Sequence, residues 1–73
     1  MVTKLYRYAT LMRPAGLGSV PKKGLWACED MLGIKTPSGH HAYSIADYDR
    51  ELSEKEVTDY ELEFIGCVEV EHV

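Results

Sequence analysis

The sequence predicts a small α+β fold, a four-stranded mixed or antiparallel sheet carrying one short helix, in the order β-β-β-α-β. A small, strongly curved barrel-like sheet is the alternative. Three observations point there. Over residues 61–71 the even positions are apolar or glycine while four of the six odd positions are glutamate, the others being Ile65 and Cys67, a period-2 pattern typical of a strand. A helix-start signal stands immediately before them. Proline- and glycine-bearing segments cut the remaining chain into three further strand-length pieces.

The first strand is expected from Thr3 to about Met12. Leu5, Ala9 and Leu11 alternate with Tyr6, Tyr8 and Thr10, and Arg7 falls on the Leu5 side. Both faces carry apolar bulk, so this strand is expected at the centre of the sheet, covered on both sides. Residues 13–24 form a loop, because Pro14 and Pro21 lack a backbone donor and Gly16, Gly18 and Gly24 permit positive φ. Residues 25–30 are the second strand. Residues 31–39 form a second loop that ends in a Thr36-Pro37-Ser38-Gly39 turn, and a third strand runs from His41 to about Tyr48.

The helix opens at Ser53, the N-cap of a Ser-x-x-Glu capping box completed by Glu56. Leu52 and Val57 form the hydrophobic staple, and Glu54 complements the positive end of the helix dipole. The helix ends near Tyr60 or Glu61, and its Val57 and Tyr60 dock on the sheet. In the last strand Leu62, Phe64, Gly66, Val68 and Val70 are expected on a buried face, with Glu61, Glu63, Glu69 and Glu71 on a wet one; Gly66 marks a bulge or a close backbone approach.

Seventy-three residues predict one domain, 1–73, which buries roughly 60% of the surface its unfolded chain exposes. No apolar run reads as a signal peptide or a membrane span, so a cytoplasmic protein is expected. Cys28 and Cys67 are too few for a disulfide framework and read as reduced, mostly buried thiols. A bridge between them would close a loop of about 40 residues and add roughly 3–4 kcal/mol, but spacing alone does not bring them together.

Charge is split along the chain. Residues 1–40 carry Lys4, Arg7, Arg13, Lys22, Lys23 and Lys35 against Glu29 and Asp30, a net +4. Residues 41–73 carry Arg50 and Lys55 against ten acidic residues, a net −8. Such asymmetry points to partner-facing surfaces rather than to a fold.

Catalytic chemistry finds little support. His40 and His41 follow a turn, yet neighbours on a strand point to opposite faces. A metal site drawn from them with Asp47, Asp49 and His72 lacks any ligand spacing. No nucleophile signature surrounds either cysteine. Gly16-Leu17-Gly18-Ser19 lacks the Gly-Lys-Ser/Thr ending of a phosphate loop. Arg13, Lys22 and Lys23, with Tyr6, Tyr8 and Trp26, could touch phosphates and stack bases, but three loop cations on an acidic chain make a small footprint for nucleic acid.

Tyr6-Arg7-Tyr8-Ala9-Thr10-Leu11-Met12-Arg13-Pro14, with Pro37-Ser38-Gly39-His40-His41 and Tyr48-Asp49-Arg50-Glu51-Leu52, resembles short uncharacterised proteins of bacterial prophages and other mobile elements. The resemblance spans most of the chain and carries over no activity or catalytic residue. It implies a small accessory protein that acts by binding.

The expectation is therefore a non-enzymatic binding module without cofactor or metal. It engages a protein partner through the basic 13–24 loop, with Arg13, Leu17, Val20, Lys22, Lys23 and Trp26 as contacts. A thin core and an edge strand favour a homodimer. One alternative is an acidic mimic of nucleic acid that inhibits a host enzyme through Glu61, Glu63, Glu69 and Glu71. Another is a small hydrolase or metal protein using His40 and His41.

Overall fold

The structure, a computed structural model, describes residues 2–12, 20–30 and 35–71. Strands β1 (Val2–Thr10), β2 (Leu25–Asp30) and β3 (Ser44–Tyr48) precede helix α1 (Glu54–Asp59) and strand β4 (Leu62–Glu71). The strands form one open sheet in the order β2-β3-β1-β4, with every neighbouring pair antiparallel. The fold is the expected α+β arrangement, with β1 central, and the sheet does not close into a barrel. Among the described residues no helix is long and apolar enough to cross a membrane.

Cross-strand partners share a face of the sheet, so register assigns the two faces. On the first, Tyr8 stands opposite Ala46 of β3 and Phe64 of β4, and Tyr6 stands opposite Tyr48. Helix α1 covers part of this face. The main core gathers there: Tyr8, Val20, Ala46, Tyr48, Leu52 and Leu62, with Tyr6, Leu25, Val57 and Tyr60 packed against it. On the second face Leu5, Ala9 and Ile45 are buried, and Arg7 reaches across to Asp47 through two hydrogen bonds of 2.8 and 3.0 Å.

Two buried tyrosines satisfy their hydroxyls on loop backbone, which avoids the cost of an unpaired polar group. The Tyr48 hydroxyl donates to the Pro21 carbonyl at 2.6 Å, and the Tyr8 hydroxyl accepts from the Leu52 amide at 2.9 Å. Burial pushes both phenols above their usual range.

The helix forms as its caps dictate. Ser53 Oγ accepts from the Glu56 amide at 3.2 Å, and Glu56 Oε1 accepts from the Ser53 amide at 3.0 Å. Tyr60 is the C-cap, and Glu61, at φ 54, turns the chain out of the helix and into β4. Arg50 grips this end of the molecule. Its guanidinium donates to both Glu56 oxygens at 2.9 and 2.7 Å and to the Lys23 carbonyl at 3.0 Å. The same turn needs Gly24, at φ 80, because an added Cβ would lie 2.7 Å from Asp49 Oδ1.

Three expectations about the strands are corrected. β1 ends at Thr10 rather than near Met12, and Met12 is 62% exposed. β3 begins at Ser44, and His41 pairs only with Lys35 in an isolated bridge. The largest correction concerns β4. Arg7 pairs with Gly66 while Tyr8 pairs with Phe64, so Ile65 is an extra residue and the strand bulges there, the first of the two readings that Gly66 allowed. Gly66 sits at φ 145. The extra residue reverses the alternation. Leu62 and Phe64 belong to the helix-covered face, whereas Val68 and Val70, opposite Leu5 and Thr3, belong to the other.

The bulge also separates the glutamates. Glu63, opposite Ala9, lies on the second face, while Glu69 and Glu71, opposite Lys4 and Val2, lie on the first; Glu61 precedes the strand. The four do not line one wet face.

Cys28 and Cys67 are not bridged, and both are exposed rather than buried as expected, because each sits on an edge strand. They lie on the two edge strands with β3 and β1 between them. Three strand spacings of about 4.8 Å put them roughly 14 Å apart, beyond the reach of a disulfide.

Candidate functional site

Four surface features carry the chemistry that the sequence suggests. The first is the segment leading into β2. Lys22 and Lys23 are exposed, and Trp26 is 44% exposed at a second register shift, where Leu25 pairs with Tyr48 and Ala27 with Asp47. Val20, expected as a contact residue, is instead 3% exposed inside the core cluster. Its apolar side chain fills the space beside Tyr48 and Leu52 and is not presented to a partner. Arg13 and Leu17 lie outside the described residues.

The second is the Thr36–His40 turn. The Gly39 amide donates to the Thr36 carbonyl at 2.8 Å, and the Thr36 amide donates to the His40 carbonyl at 2.8 Å. This turn wraps the carboxylate of Glu63. Thr36 Oγ1 donates to Glu63 Oε1 at 2.8 Å, Ser38 Oγ donates to the same oxygen at 2.5 Å, and the Ser38 amide donates to Oε2 at 3.2 Å. His40 Nδ1 stands 2.8 Å from Ser38 Oγ and 3.3 Å from Glu63 Oε1. Partial burial raises the Glu63 carboxyl, but the hydrogen bonds from Ser38 and Thr36 outweigh it and hold the group at about 2.

A serine, a histidine and a glutamate thus meet, but their wiring is that of an anchor. A Ser-His-carboxylate relay uses the two ring nitrogens for two different partners. Here Ser38 and Glu63 both address Nδ1, and the single hydroxyl proton of Ser38 goes to the carboxylate. His41 is exposed and apart from this network. Asp47 is held by Arg7, whose pKa its hydrogen bond raises, and His72 lies outside the described residues. Among the described residues no three His, Cys, Asp or Glu side chains cluster to hold a metal ion.

The third is the acidic set, which the bulge divides between the two faces of the sheet. Glu63 faces the turn, where its carboxylate is occupied by three side chains. The surface expected of a mimic is therefore not assembled from those four residues.

The fourth was not anticipated. A groove of about 390 Å³ runs between the segment 51–58 and β4, with Tyr8 and Phe64 at its floor. Phe64, expected in the core, is 46% exposed. The reason is length. Six helical residues cover about 9 Å, whereas a ten-residue strand runs about 33 Å. The aromatic spacing Tyr6, Tyr8, Phe64 was the available signal, but only register brings the rings together. Phe64 lies 5.4 Å from Tyr8 and 6.4 Å from Tyr6, centroid to centroid.

These elements define a small antiparallel α+β module with charged loops and an uncovered aromatic strip. Residues 3–66 match the family model described as Defence against restriction A C-terminal, and the chain belongs to that family. The family is associated with phages and mobile elements, so the chain is a phage-associated accessory protein, as its resemblance implied. No curated protein and no solved structure matches it.

Proposed function

We propose that the chain is a non-enzymatic binding module through which a phage protects its DNA from host restriction, and that it does so by engaging a protein. The match of residues 3–66 to a family described by defence against restriction carries this reading. The structure supports a binding role in two respects. The serine–histidine–glutamate cluster is consumed in holding a turn. Trp26 presents a large exposed aromatic of the kind enriched in protein interfaces, and the exposed Lys22 and Lys23, near it in sequence, supply positive charge that can steer an acidic partner.

The test is plating efficiency. A phage carrying the intact gene is compared with one lacking the codons for residues 3–66, on isogenic hosts with and without a restriction system. A deficit of at least tenfold on the restricting host alone is expected. Equal plating on both hosts would overturn the reading. The Lys22→Glu/Lys23→Glu variant should show the same deficit with an unchanged Tm. Full protection by that folded variant would remove the segment from the interface.

A further inference from the structure

The groove between α1 and β4 carries an inference beyond that reading and independent of it. Its floor is aromatic, since the Tyr8 and Phe64 rings meet edge to face at 60°. Leu52 and Val57 wall it. Glu51 and Glu54 stand at its mouth, both exposed. The other charges of the helix are matched, Glu56 by Arg50 and Asp59 by Lys55. Among the described residues Glu51 and Glu54 have no cation in ion-pair contact. Two unmatched carboxylates thus overlook an exposed phenyl ring.

The same aromatic row already holds a cation at its other end. Lys4 Nζ sits 5.2 Å from the centroid of Tyr6, the ring next to Phe64. A ring face attracts cations through its quadrupole, and more strongly where water is partly excluded. The side chain that meets both demands of the groove is arginine. Its planar guanidinium stacks on an aromatic face while its donors pair with carboxylates, and its stem packs on apolar walls.

We propose that this groove binds an arginine-bearing segment of a partner protein, with the guanidinium over Phe64 and paired with Glu51 and Glu54. Charge complementarity selects this occupant over an acidic or purely apolar segment. The surface is distinct from the Lys22–Lys23 segment and opposite to it in sign, so the module would present two surfaces to partners of different charge.

The test is a titration of the whole chain, labelled with nitrogen-15, by an acetylated pentapeptide of alternating leucine and arginine. Its counterpart carries citrulline, which keeps shape and loses charge. The arginine peptide should bind saturably and shift the amides of Val57, Thr58 and Phe64, and the citrulline peptide should bind at least tenfold more weakly. Glu51→Lys/Glu54→Lys should weaken the arginine peptide at least tenfold while the chain stays folded; both positions are exposed, and Tm should fall by no more than a few degrees for the charge reversed at the helix start. Equal affinity for the two peptides, shifts confined to other residues, or no binding at millimolar peptide would each overturn the proposal. Plating efficiency is read separately, so failure of the groove and failure of the restriction reading are distinguishable.

Discussion

The two halves of β4 share one strand and one pattern of apolar and acidic residues, yet they serve opposite faces. Before the bulge, Leu62 is 5% exposed in the core under α1, and Phe64 floors the groove. After it, Val68 and Val70 are half-buried and turn to the face that holds Leu5 and the Arg7–Asp47 pair. One unpaired residue, Ile65, separates the two regimes. A side-chain period of two makes a strand all-or-none in its facing, so a single insertion reassigns everything beyond it. The comparison teaches that alternation in a sequence reports facing only as far as the next bulge.

The strongest way to break that comparison is to truncate one apolar residue in each half. Leu62→Ala should cost about 2–5 kcal/mol, as for a filled core site, and Val70→Ala less than about 1.5 kcal/mol, as for a half-buried one. Urea denaturation of the two variants measures both. Equal losses would mean that the halves are equally buried.

A smaller effect is expected at the hinge between them. Gly66→Ala should cost about 1–3 kcal/mol for forcing a side chain into a backbone region that glycine prefers. Space is not the obstacle, since an added Cβ meets nothing within 4 Å. A neutral Gly66→Ala, read by the same denaturation, would show that the bulge relaxes without cost.

Acid sharpens the picture at Glu63, the residue of the first half that faces away from the helix. Its carboxyl is held at about 2 against a usual value near 4.5, and Glu56, gripped first by Arg50 and then by the Ser53 amide, is also held at about 2. A carboxyl depressed by folding contributes stability above its unfolded pKa and loses it as pH falls through the folded value. Tm should therefore decline between pH 4.5 and pH 2. Glu63→Gln should lower Tm by a few degrees at neutral pH and flatten that decline, while Glu63→Gln/Glu56→Gln should flatten it further. Identical acid profiles for Glu63→Gln and the parent would remove the Thr36–His40 tether from the stability of the fold.

The smallest effect is expected from the cysteines. Oxidation should leave the monomer's Tm unchanged, because Cys28 and Cys67 occupy opposite edge strands. A faster-migrating monomer on a non-reducing gel would contradict the strand order.

Much of the architecture was legible because it is local. Ser53 and Glu56 announce the helix through hydrogen bonds three residues apart. Thr36-Pro37-Ser38-Gly39 announces its turn in the same way. The balanced faces of β1 foretold its central position. The misplacements share one cause: they concern residues whose surroundings come from distant chain. Val20 reads as a loop residue until Tyr48 fastens the neighbouring Pro21 carbonyl and encloses it. Phe64 reads as core until the short helix leaves it uncovered. Glu63 reads as one of four surface acids until the bulge turns it toward a loop 23–27 residues earlier.

Element order, both ends of the helix and an irregularity of β4 at Gly66 were determined by the sequence alone, since capping, turn chemistry and glycine's conformational range act within a few residues; that the irregularity is a bulge was decided by register. The sense of facing beyond the bulge, the union of Tyr6, Tyr8 and Phe64 in one row, the grip of Arg50 on both helix and turn, and the separation of the two cysteines were decided by tertiary structure. These depend on which strands pair and in what register. Register is a property of the whole sheet, because burial on both faces must be satisfied at once.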